Sequence, residues 1–179
     1  MQPDLSNIKN RIKGNRDIID NLTVKLGTII PGFGGFVEAA ESYAADQVVR
    51  DFMADKIQKI KGEISDITSA MSRDGKFEFL GDLDSLGLNL EKLFKKAKYA
   101  DYGSSASASK LKVTEADKER LLEYDWRLIS NLDEFNELIT KLKAAQGGDF
   151  KTAVNAVRDK IKNFETLLDE RKNVVMEVI

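Results

Sequence analysis

Three glycines, Gly32, Gly34 and Gly35, stand just before a helical stretch, a setting where backbone N–H groups can cradle a phosphate. The run Ile29-Ile30-Pro31-Gly32-Phe33-Gly34-Gly35-Phe36-Val37 has no Gly-Lys-Ser/Thr, however, and no strand precedes it. Its glycines read as a tight reversal that permits positive φ. Acidic side chains can hold Mg²⁺ when they converge, but Glu165, Asp169 and Glu170 fall on outer faces of a helical pattern. A carboxylate- or Mg²⁺-dependent enzyme is therefore the third of three readings. Asp125 is different, because it falls on the apolar seam of its helix, where a carboxylate needs a partner to offset desolvation. The pattern Tyr99-Ala100-Asp101-Tyr102-Gly103 offers partners, with Lys98 beside it. Tyr99, Asp101, Tyr102 and Asp125 are the expected polar lock. The chain has no His and no Cys, which removes the commonest general base, the commonest transition-metal ligand and all thiol chemistry. No catalytic, cofactor or metal residue is assigned.

Two surfaces have the composition of a contact. The hairpin tip carries Ile30, Phe33 and Phe36 where polar residues are usual, and an exposed apolar tip marks a protein or membrane contact. The competing reading buries Phe33 and Phe36 under residues 77–100. The second surface is basic: Lys92, Lys95, Lys96 and Lys98, then Lys110 and Lys112, opposed only by Asp101. With Leu93, Phe94 and Ala97 opposite the lysines, this is a small basic amphipath suited to an anionic membrane surface. Its plainer reading is a solvated face paired with Asp82, Asp84 and Glu91. Arginines and stacking platforms are missing there, and the net charge is −2, so nucleic acid is not expected.

The elements that must position these residues are helices. At 179 residues the chain is long enough for one domain of ordinary size, and its two prolines lie within the first 31 positions, so helices can run unbroken afterwards. A seam Leu5, Ile8, Ile12, Asn15, Ile19, Leu22, Leu26, Ile29 marks a first helix. A second is predicted from about Phe36 to Ser72, with Met53, Ile57, Ile60, Ile64, Ile67 and Met71 on one side. A third opens at Thr114, an N-cap, and follows Leu121, Asp125, Leu128, Leu132, Phe135, Ile139 and Leu142 to Gly147-Gly148. A fourth follows Phe150, Val154, Val157, Ile161, Phe164, Leu168 and Val175. The short breaks at Pro31–Gly35 and Gln146–Asp149 predict two antiparallel hairpins, residues 1–72 and 114–179.

Between the hairpins, residues 73–113 read as a cap with a short helix from Asn89 to Ala100, then a flexible Ser104–Ser109 loop. The fold class is all-α: an elongated antiparallel four-helix bundle in a single domain. The longest uncharged run, between Lys25 and Glu38, is shorter than the ~20 residues a spanning helix needs.

The Ile30-Pro31-Gly32-Phe33-Gly34 tip, the Tyr99-Ala100-Asp101-Tyr102-Gly103 turn and the stretch Tyr124-Asp125-Trp126-Arg127-Leu128 together resemble a group of functionally uncharacterised prokaryotic helical proteins. In that group the tyrosine turn continues into an aromatic, glycine-containing stretch, whereas here Ser104–Ser109 follows. The resemblance implies that the three patches belong together and implies no activity.

The expectation for function is a non-enzymatic helical scaffold or adaptor in the cytoplasm, with protein partners that include a second copy of the chain. Its alternative is a peripheral membrane protein that contacts anionic lipid through the apolar tip and the lysine-rich amphipath.

Overall fold

The computed structural model describes residues 5–33, 42–100 and 114–178. Among them every regular element is helical and no strand occurs: α1 (Leu5–Ile29), α2 (Ser42–Arg73), one 3-10 turn (Phe77–Phe79), α3 (Leu80–Lys98), α4 (Glu115–Ala144) and α5 (Gly148–Val178). The all-α class expected from the periodicity holds. Phe36, the start of the predicted second helix and the Ser104–Ser109 loop lie outside the described residues.

The seams are the buried faces. Met53, Ile57, Ile60, Ile64, Ile67 and Met71 of α2 are buried, as are Leu128, Leu132, Phe135, Ile139 and Leu142 of α4. On α5 the buried line runs Phe150, Val154, Val157, Ile161, Phe164, Leu168 and Val175. Each of the larger side chains contributes about 1.5–3 kcal/mol by leaving water. On α1 the seam departs from expectation at its end. Ile19 and Leu26 are buried, but Ile29 is exposed, and Ile30 and Phe33 take the inward places. The cause is local: the Ile30 amide still bonds to the Leu26 carbonyl at 2.7 Å, and Gly32 then turns the chain at φ +83°.

Helix ends follow from single residues. Thr114 Oγ1 accepts from the Asp117 amide at 3.2 Å while Asp117 Oδ2 accepts from the Thr114 amide at 3.0 Å, a reciprocal capping box that opens α4. At the end of α2, Gly75 takes φ +72°, the Lys76 amide reaches the Met71 carbonyl at 2.9 Å and the Gly75 amide reaches Ser72 at 3.2 Å. That is the Schellman pattern, which needs a residue tolerant of the left-handed region.

The segment read as a cap is corrected. Its helix starts at Leu80, well before Asn89, and lies alongside α2 instead of across a helix end. Lys98 bonds Asp51 at 2.8 Å and Lys61 bonds Glu91 at 2.6 Å, so α3 runs antiparallel to α2. Its buried line, Leu83, Leu86, Leu90, Leu93 and Ala97, is a full seam.

The chain divides into two compact units. One comprises Arg50–Asp101 and Leu128–Asp169. Within it Phe79, at the N-cap of α3, meets Phe150 of α5 (ring centroids 4.4 Å apart), and Arg158 of α5 bonds Asp82 of α3 at 3.0 Å. There α4 meets α5 through Phe135 and Phe164, and Lys143 of α4 bonds Glu63 of α2 at 2.8 Å. The other unit comprises Met1–Val49, Tyr102–Arg127 and Glu170–Ile179. In it the Lys25 ammonium sits 5.4 Å from the Trp126 ring centre.

Candidate functional site

The buried polar cluster is built from three seam positions. Stepping the α2 seam back from Met53 by four-three spacing reaches Arg50 and Asp46. The α4 seam passes through Asp125, and the gap in the α5 seam between Leu168 and Val175 is filled by Arg171. Arg171, Asp125 and Asp46 meet in the unit that comprises Met1–Val49, Tyr102–Arg127 and Glu170–Ile179. Arg171 Nε donates to Asp125 Oδ1 at 2.5 Å and its NH1 donates to Asp46 Oδ1 at 2.6 Å, with all three side chains nearly closed to solvent. Burial pushes the Asp125 carboxyl up; Arg171 opposes this, and the neighbouring Asp46 carboxylate adds to the rise.

This corrects the expected lock. Asp125 is tied to Arg171, while Tyr99 is exposed and meets Phe94 edge-on with ring centroids 6.4 Å apart. The physical reason is charge: a buried carboxylate gains far more from a guanidinium than from a phenol, and Arg is the cation least costly to desolvate. Asp101 and Tyr102 lie outside the described residues. The signal for Arg171 was the polar residue interrupting an otherwise unbroken seam.

The lysine cluster divides in two. Lys96 donates to Asp169 at 2.7 Å and to Glu165 at 3.1 Å, so two of the carboxylates considered for Mg²⁺ hold a lysine instead. Burial pulls the Lys96 ammonium down, but these two carboxylates outweigh it and the balance lies above the ordinary value. Lys98 is raised by its hydrogen bond to Asp51, and its carbonyl accepts from Arg50 at 3.0 Å. Lys92 and Lys95 point outward; Lys95 pairs with Glu91 at 3.2 Å. Glu91 is held below the usual carboxylate range by its hydrogen bonds from Lys61 and Lys95.

No protein-family model, curated protein or solved structure matches the chain. Its own geometry therefore carries the functional reading.

At the apolar tip, Ile30 and Phe33 are each 1% exposed, so neither offers the contact surface expected of it. Ile30 faces inward as its amide continues the helical bonding to Leu26, and Phe33 follows the turn at Gly32. The apolar side of the expected amphipath is likewise turned in, because Leu93 and Ala97 are buried against the protein. Lys110 and Lys112 lie outside the described residues. Among the described residues no helix is long and apolar enough to cross a membrane, and no group of three or more acidic side chains gathers as a metal site.

Proposed function

We propose that the chain is a cytoplasmic, non-enzymatic helical scaffold or adaptor, each unit an antiparallel four-helix bundle whose outer faces receive protein partners. One observation carries this reading. The charged groups best placed for chemistry are engaged in holding helices together: Arg171 with Asp125 and Asp46, Lys96 with Glu165 and Asp169, Lys98 with Asp51. Groups fixed in this way keep side chains in register and are not free to move protons or bind anions. Support for the bundle comes from the helix-to-helix pairs within the Arg50–Asp169 unit, which link α2 to α3, α3 to α5, α5 to α4 and α4 to α2. The membrane alternative is less well supported, since Ile30, Phe33, Leu93 and Ala97 are buried.

The test is photo-crosslinking in extract from single outward-facing positions on α3 and α5, beginning with Lys92. The expected result is a small set of protein adducts that excess unlabelled protein competes away. Adducts that never compete, from every such position, would contradict the scaffold reading.

A further inference from the structure

Helix α3 shows solvent a single narrow stripe. From Leu80 to its C-cap Tyr99, the exposed residues are Gly81, Asp84, Leu88, Lys92, Lys95 and Tyr99, and all others are buried or half-buried. Their steps of three and four place all six within about 40° of the direction of Leu88. This is the spacing of a helix–helix seam, here facing outward. Two large apolar side chains stand on it, Leu88 at 65% and Tyr99 at 68% exposed.

The stripe is complementary to itself when reversed. Positions 81 and 99, 84 and 95, and 88 and 92 are related about a point near Leu90, which is buried beneath the stripe. A second copy laid antiparallel over the first would bring Tyr99 over Gly81, where the space around a Cβ is open to 4 Å. It would set the Asp84 carboxylate beside the Lys95 ammonium and Leu88 against the methylene stem of Lys92. Each contact occurs twice, as an isologous two-fold interface requires. Within one chain Asp84 and Lys95 stand about 16 Å apart along the helix and cannot pair. Lys95 can turn to a partner at small loss, because Glu91 keeps Lys61 at 2.6 Å.

We infer that the outer stripe of α3 is a self-association surface, occupied by a second copy of this chain in antiparallel register. The inference rests on the scaffold reading and deepens it by naming one partner. A contact of one helix stripe belongs to the small, transient class of interfaces, so the dimer forms at high concentration and is weak.

Sedimentation equilibrium from about 10 µM to about 1 mM tests it, a range suited to weak dimers. Asp84→Lys and Lys95→Asp should each weaken dimerisation about tenfold, and the double variant should restore it to within about threefold of the natural chain. A monomer throughout, a dimer indifferent to the single changes, or a double variant that fails to recover would each overturn the proposal. A second readout changes no acidic residue. The chain has no Cys, so Leu88→Cys and Lys92→Cys proteins can be mixed under mild oxidation. Cross-linking of one to the other is expected; L88C joining chiefly to itself would overturn the antiparallel register. A monomeric result would remove this surface while leaving the capture of other proteins to be decided by photo-crosslinking.

Discussion

Arg171 lies between two carboxylates, Asp125 at 2.5 Å and Asp46 at 2.6 Å, where little water can help. Removing the cation leaves the buried Asp125 carboxylate without its guanidinium and takes one partner from Asp46. Arg171→Met is therefore expected to lower stability by about 3–5 kcal/mol in denaturant unfolding at neutral pH. Asp125→Asn keeps an oxygen for the Arg171 Nε–H and leaves Asp46 to balance the guanidinium, so its cost should stay within about 1 kcal/mol. The pH dependence follows from burial raising the Asp125 carboxyl. A group whose folded value is raised contributes stability below its unfolded value, near ~4, and that contribution is lost as pH rises through the folded value. D125N should lack this loss, so its stability relative to the natural chain should improve from pH ~4 toward neutrality. A relative stability that falls over that window would contradict the direction given for Asp125. Part of this cluster was legible in the sequence. Asp125 stood out on its seam, but Arg171 and Asp46 show only when the gap and the backward extension of two other seams are read as positions in their own right.

At the scale of the element, α2 ends where Gly75 enters the left-handed region at φ +72°. Gly75→Ala should cost about 1–2 kcal/mol, since an L side chain is strained there. Gly62 lies in the interior of the same helix, exposed and with open space where a Cβ would go. Gly62→Ala should stabilise by about 0.5–1 kcal/mol, because alanine loses less backbone freedom and meets no neighbour. Thermal unfolding of the two variants checks both, and the opposite signs separate a conformational requirement from a propensity effect. The helices themselves were readable because their apolar residues alternate by three and four over many turns. Helix α3 was read too short and assigned to a cap, since Gly81 and Gly87 look like breaks while Leu83 and Leu86 continue the seam of Leu90 and Leu93. Burial against neighbours overrode local propensity there. At the α1 end the seam moved from Ile29 to Ile30 because the Ile30 amide still bonds to the Leu26 carbonyl, so a four-residue step from Leu26 takes the inward place.

At the scale of the whole chain, the charges and apolar residues that look free in the sequence are in large part turned to structural use. Lys96 and Lys98 of the basic cluster hold carboxylates of α5 and α2, and Ile30 and Phe33 of the tip are buried. Periodicity showed which faces pack, but a lysine on a helix flank looks the same whether it faces water or a carboxylate on the next helix. That choice depends on neighbours far away in sequence, such as Glu165 and Asp169 for Lys96. The central claim is that the outer faces serve protein partners and that lipid is not the target. The most direct measurement is flotation of the purified protein with anionic and neutral vesicles at low and physiological salt. The account predicts that the protein stays with the unbound fraction in every case, because Ile30 and Phe33 of its tip are buried and Lys95, Lys96 and Lys98 are tied to carboxylates. Flotation with anionic vesicles at physiological salt, lost in Lys92→Glu/Lys95→Glu, would contradict it and make the lysine face of α3 a lipid-binding surface.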